Sequence, residues 1–286
     1  EAGDAILLTP PEIAAPFTSH YTGTAAIYLP PAAGDEMAAL AEPHSRLFLA
    51  IGDAKAGQAQ GLARDWLNAN GFYADHKWVE GLELLTYGLL PAPSLPITQT
   101  TNSGAVWDDR IELTGYDLPV KAWQPGDIVP LTLFWQASQA LPADYSVFVH
   151  LVGPDGQIVA QTDSGPAGGS RPTGSWQPGE AIVDRHGLSL PAEIASGEYQ
   201  IRVGLYLPST GGRLPVVGPA GKQLGDSMAL SRLTVCGEGA ACVAFTGDSL
   251  TRGDNSTGSI GFAGFLSQEL GWQPVRCVWF HISEAI

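Results

Sequence analysis

Positive charge is what this chain has least of. Its 286 residues carry 14 Lys and Arg against 29 Asp and Glu, a formal charge of −15, and no basic cluster relieves the deficit. Such a surface repels phosphate backbones and anionic lipid, which excludes a nucleic-acid partner and electrostatic adhesion to membranes. Long apolar runs are missing too. The longest are short stretches such as "AILL" and "LTLFW", far below the roughly 20 residues needed to cross a bilayer. No basic segment with an apolar stretch behind it opens the chain, so no signal peptide is read there. Glu1, at the head of "EAGDAILL", reads as the start of a processed product or of a piece cut from something longer.

Cysteine is sparse, at three residues, all near the C-terminal end. Cys236 and Cys242 bracket "GEGAA", a loop flexible enough to close a disulfide, which would imply an oxidising compartment; two isolated thiols are the alternative. Cys277 and His281 add no fourth ligand at finger-like spacing, so no zinc site is expected. A glycine-rich phosphate loop is also lacking. "LLTPPE" stands where it would follow the first strand, which excludes a dinucleotide or P-loop site. No cofactor and no metal are expected.

What is present divides into segments, in a chain long enough for two cores of about 100 to 150 residues. Residues 1–90 alternate between strand-like and helix-like stretches: "DAILLTP", "TAAIYLP", "RLFLAIGD" and "LELLTYGLL" as strands, with "EIAAPFTSHYTG", interrupted at Pro16, and "GDEMAALAEPHS" as short helices. "AQGLARDWLNANG" is the clearest helix, with Leu62, Trp66 and Ala69 on one face and Gly71 as its C-cap. This rhythm predicts a small α/β domain with a parallel or mixed sheet. Asp53, after the "RLFLAI" strand, lies where such sheets often hold ligands; a plain loop cap is the competing reading. Residues 91–106 are rich in Pro, Ser and Thr and read as a linker.

From 107 to 235 the pattern becomes short strands between Pro/Gly turns, as in an immunoglobulin- or fibronectin-like antiparallel β-sandwich. Leu131, Leu133 and Trp135, then Val147, Val149 and Leu151, alternate toward a core. The segment also repeats itself. "WQPGD" at 123–127 is echoed by "WQPGE" at 176–180, and "ADYSVFVHLVGPDG" by "GEYQIRVGLYLPSTGG". Trp123 and Trp176, and Tyr145 and Tyr199, fall at equivalent places in the two halves, and with Tyr206 they read as packing positions. Stacking of a sugar on Trp123 and Trp176 is the functional alternative. His150 and His186 have no spaced partner on their own strands and read as strand histidines. Asp155, Asp163, Asp184 and Asp226 do not form the dense loop of a calcium site.

The order of "DAILLTPPEIAAPFTSHYTGTAAIYLP", "RLFLAI", "DWLNANGFYADHKWVEGLELLTYGL", "IELTGYDL", "WQPGDIVPLTLFWQA" and "EYQIRVGLYLPSTGGRLPV" resembles the extracytoplasmic C-terminal part of bacterial polytopic membrane glycosyltransferases. These are relatives of protein mannosyltransferases and of the aminoarabinose transferase of lipid A. The likeness covers roughly residues 3–235. It implies a region outside the cytoplasmic membrane, tethered through segments absent from this chain, with the catalytic acids on loops that are also absent. Its partners would be the membrane-embedded transferase body and a glycan or other component of the cell envelope.

Residues 236–286 form a strand–loop–helix tail, with "ACVAF", "TGDSLTRG" and "SIGFAGFLSQELGW" in that order. It resembles the first block of the GDSL or SGNH hydrolases. In that resemblance Ser249 is the nucleophile, preceded by Gly247 and Asp248, and its own backbone N–H helps hold the oxyanion. The family's later asparagine and Asp-x-x-His pair have no counterpart here, and "HISEAI" offers only His281. The leading expectation is therefore a non-catalytic accessory region of a membrane-bound, glycosyltransferase-like protein. The alternatives are accessory domains before the truncated start of a serine ester hydrolase, and a carbohydrate-binding or adhesive module.

Overall fold

The computed structural model describes residues 3–31, 34–52, 58–79, 81–89, 97–98, 104–119, 121–218, 221–237, 242–244 and 273–275, with the backbone alone at 58–60, 97–98, 242–244 and 273–275. The first segment runs β1 (Asp4–Thr9), a 3-10 turn (Pro11–Ile13), α1 (Ala14–His20), β2 (Ala26–Tyr28), α2 (Gly34–Ala41), β3 (Arg46–Ile51), α3 (Gln58–Asn70), β4 (Phe72–Val79) and β5 (Leu82–Gly88). Its strands lie in the order β4-β5-β3-β1-β2, parallel at β1–β2 and β1–β3 and antiparallel at β3–β5 and β4–β5.

Apolar side chains on both faces of β1 and β3 explain why helices cover both sides. Met37 of α2 and Ala63 and Leu67 of α3 pack on Leu47, Leu49, Leu85 and Tyr87. On the other face Ile13 and Phe17 pack against Ile6, Leu8 and Ala50. Two local expectations are corrected. Helix α1 continues through Pro16, because in the first turn the amide that proline lacks would be unpaired anyway. Helix α3 buries Ala63 and Leu67, while Leu62 is half exposed. The Gly71 amide donates to the Leu67 carbonyl at 2.7 Å and ends that helix as the sequence implied.

The second segment is built of β6 (Ile97–Thr98), β7 (Ala105–Trp107), β8 (Ile111–Pro119), β9 (Ala122–Trp123), β10 (Ile128–Ala137), β11 (Ser146–Val152), β12 (Ile158–Ser164), β13 (Ala181–Ser189), β14 (Gly197–Leu207), β15 (Gly212–Arg213), β16 (Val216–Val217), β17 (Gln223–Gly225) and β18 (Met228–Val235). One face of β7, β8, β10 and β13 packs against the sheet β12-β11-β14-β18-β9. Leu131, Leu133, Trp135, Val147, Val149 and Leu151 all point into the core between them, as their alternation predicts. In the tail, β19 (Cys242–Ala244) and β20 (Gln273–Val275) pair in parallel.

The sequence repeat is a structural one. In the first corner the Gln124 amide donates to Asp127 Oδ2 at 3.0 Å, and the Asp127 amide to the Gln124 carbonyl at 3.1 Å. In the second, the Gln177 amide donates to Glu180 Oε2 at 3.1 Å, and the Glu180 amide to the Gln177 carbonyl at 3.0 Å. Gly126 and Gly179 sit at φ +83° and +81°, the left-handed position that a Pro-Gly turn requires. Each corner launches one of the antiparallel pair β10 and β13. Each is stitched to the far end of the other strand, Gly126 N–H to the Leu190 carbonyl and Gly179 N–H to that of Ala137.

The repeat maps Thr132 onto Arg185 and Val149 onto Val203, and both are register pairs. The two halves of the repeat are therefore paired with each other, β10 with β13 in one sheet and β11 with β14 in the other.

The two segments share a sheet. Strand β13 continues into β4 through a parallel pairing at His186 and Tyr73, giving twelve strands in one sheet. Gly187 makes that approach feasible: a Cβ there would lie 2.6 Å from the Phe72 carbonyl oxygen and 2.9 Å from Ala74 Cβ. Arg185 adds a hydrogen bond from Nη1 to the Ala69 carbonyl at 2.6 Å.

Candidate functional site

Ser249, Gly247, Asp248, Asp53 and His281 lie outside the described residues. Cys236 is disulfide-bonded and buried; the side chains of Cys242 and Cys277 lie outside the described residues.

The two corner tryptophans are not open platforms. Trp123 is 3% and Trp176 1% exposed, both inside the sandwich core. The Trp176 indole donates from Nε1 to the Arg171 carbonyl at 2.9 Å, and the Lys121 ammonium lies 4.0 Å from the Trp123 ring centre. Neither ring offers a free face to a sugar; both close the ends of the sandwich, as their equivalent places in the repeat imply.

Asp184 and His186 face the core from alternate positions on β13, and both are completely buried. Asp184 takes three hydrogen bonds: at Oδ2 from Trp135 Nε1 (3.1 Å) and from His186 Nε2 (2.8 Å), and at Oδ1 from the Ala167 amide (2.8 Å). Three donors are what a carboxylate so far from water needs. Because the carboxylate accepts, the histidine proton sits on Nε2. Nδ1 is left facing the interior without a protein partner. Ala167 holds its donor in place at φ +53°, an unusual angle for a residue with a side chain. An aspartate–histidine pair of this kind could orient a base, but here both side chains are sealed from solvent. Its role is to knot the 165–171 loop to the sandwich.

A second cluster covers the outer face of the sheet containing β11 and β14. Phe148 and His150 lie on that face but are buried, with ring centres 4.6 Å apart. Arg213 lies over Phe148 at 4.4 Å and pairs with Asp226 at 3.2 Å. Arg202 donates to the Ser227 hydroxyl and carbonyl, so the 225–228 loop is pinned over the same spot. Burial holds the His150 imidazole below its ordinary pKa. Arg213 and Arg202 reinforce that shift, and Asp163 and Asp226 oppose it. Tyr206, on the same face, is raised first by burial and then by Asp163. Asp155 instead caps its own hairpin, accepting from the Gln157 amide at 3.0 Å. Among the described residues, no three His, Cys, Asp or Glu side chains come close enough to hold a metal ion.

Sequence reasoning missed the end of the β4–β5 hairpin. There Trp78 is 68% exposed beside His76 and Glu83. The available signal was "HKWVEG", an aromatic among charged residues just ahead of a glycine turn.

No family model and no curated protein matches the chain. Among solved structures it is similar to the C-terminal domain of Wzt at 18% identity and a TM-score of 0.32, over 48% of this chain and 76% of that one. A beta-glucuronidase from Bacteroides uniformis aligns at 12% identity and 0.25, over 54% and 19% of the two chains. An endonuclease/exonuclease/phosphatase protein from Beutenbergia cavernae aligns at 10% and 0.20, over 70% and 61%. Similarity of that degree carries no argument about this chain.

Proposed function

We propose that this chain is a non-catalytic, extracytoplasmic accessory region of a membrane-bound, glycosyltransferase-like protein, contributing packing, acceptor positioning or contact with the cell envelope. The first segment is read as its α/β unit and the second as an immunoglobulin- or fibronectin-type sandwich. The observation that carries the proposal is how four chemically able side chains among the described residues are used. Asp184, His186, Trp123 and Trp176 are sealed in the core with structural partners. The disulfide at Cys236 supports an oxidising location outside the cytoplasm, and the order of sequence segments supports the kinship with the transferases.

The competing hydrolase reading rests on Ser249 and is tested directly. The whole chain and Ser249→Ala are compared for hydrolysis of p-nitrophenyl acetate. Equal, background-level release of nitrophenolate from both is expected. Turnover that disappears with the serine would overturn the proposal.

A further inference from the structure

Among the described residues, the end of the β4–β5 hairpin departs from the way the other tryptophans are used. Trp107, Trp123, Trp135 and Trp176 are buried and Trp66 is half-buried, whereas Trp78 is 68% exposed. A large apolar ring left in water is informative in a way that a scattered surface leucine is not. Its surroundings carry groups that bind hydroxyls. The strand register sets Glu83 directly across from Trp78, on the same face of the hairpin. On that face too, His76 stands edge-on to the indole, with ring centres 6.1 Å apart and planes at 60°. His76 Nε2 lies 3.4 Å from Glu83 Oε1, and Arg64 of α3 reaches the same oxygen at 4.0 Å. The carboxylate is thus held from two sides and remains 18% exposed. Just behind it, Leu85 and Tyr87 of β5 are packed beneath the helices, so the platform rests on core.

We propose that this hairpin end is a carbohydrate-binding site, in which a pyranose ring stacks on Trp78 while its hydroxyls hydrogen-bond to Glu83, His76 and Arg64. A pyranose has an apolar C–H face and a polar rim. An indole with a carboxylate acceptor and a guanidinium donor at its edge matches both. Lipid is the poorer fit. Trp78 and Val79 are bordered by Asp75, Lys77 and Glu83, whose charges would have to leave water if the tip sank into a bilayer. The net charge of −15 is also repelled by an anionic leaflet. This site deepens and rests on the accessory reading, since positioning an acceptor or touching the envelope requires a surface that holds sugar.

The test is calorimetric titration of the whole chain with soluble hexasaccharides of glucose, mannose and N-acetylglucosamine. At least one should bind. Trp78→Ala should weaken that binding about tenfold or more, the scale of one lost aromatic contact. Trp78→Phe should retain part of it and Glu83→Gln should weaken it several-fold, all with unchanged melting temperature. Failure of all three sugars to bind, or equal binding by Trp78→Ala, would refute the site. Trp78-dependent flotation with phosphatidylcholine vesicles in the absence of sugar binding would refute it in favour of lipid. These failures are separable: Ser249-dependent ester turnover removes the accessory reading, whereas a sugar isotherm indifferent to Trp78 removes only this site.

Discussion

His150 shows how a single side chain can make this molecule sensitive to acid. Its ring is wedged beside Phe148, with Arg202 and Arg213 nearby and Asp163 and Asp226 in partial opposition, and burial holds it below its ordinary pKa of 6.5. The folded state therefore prefers the neutral ring, while the unfolded chain takes up a proton near pH 6.5. Stability falls as pH drops through that value and goes on falling until the folded ring itself protonates. Urea denaturation between pH 7.5 and 5.5 should give a shallower loss of stability for His150→Gln than for the parent. Identical slopes would show that the ring titrates freely. At this scale the sequence was legible where a pattern recurred. The corner tryptophans appear twice in the same grammar, which marks them as packing. Trp78 appears once, and only its charged neighbours in "HKWVEG" mark the place where strand β4 runs out past the helices that cover its beginning.

Among the elements, the two Trp-Gln-Pro-Gly corners offer the cleanest measurement. A methyl group added at Gly126 or Gly179 meets no atom within 4 Å, so a substitution there is felt only by the backbone. Gly126→Ala and Gly179→Ala should each cost about 1–2 kcal/mol for holding an L-residue at positive φ. The double variant should cost the sum, because the corners sit at opposite ends of the β10–β13 pair. Denaturant midpoints at constant slope would measure it; a near-zero cost at either site would mean that the turn readily reshapes. These corners could be read from sequence because proline and glycine fix dihedral angles locally. Strand β4 could not. A bulge between Tyr73 and Asp75 shifts its alternation, and its exposed far half carries polar residues on both faces. Helix α3 was recognised, but a one-residue rotation separates the expected apolar face at Leu62 from the buried one at Ala63.

For the whole molecule, the decisive contact is the one between β13 and β4. Long-range pairing of this kind leaves no trace in local periodicity, and the Pro-rich stretch at 91–106 gave every reason to expect two separate sheets. Gly187 is the place to test it, since a Cβ would press on the Phe72 carbonyl and on Ala74. Differential scanning calorimetry should show one cooperative transition for the parent chain. For Gly187→Ala it should show two, as the segments lose their mutual support; a single shifted transition would mean that the remaining contacts suffice. Because β13 has a neighbour on each side, the junction also bears on how the protein can be shortened. Excising residues 3–89 would strip β13 of its β4 neighbour and bare main-chain groups around His186, with Val183 already 41% exposed on the same strand. An uncovered sheet margin of that sort recruits strands from other copies. A trimmed sandwich should therefore be prone to clump through the margin that the first segment covers.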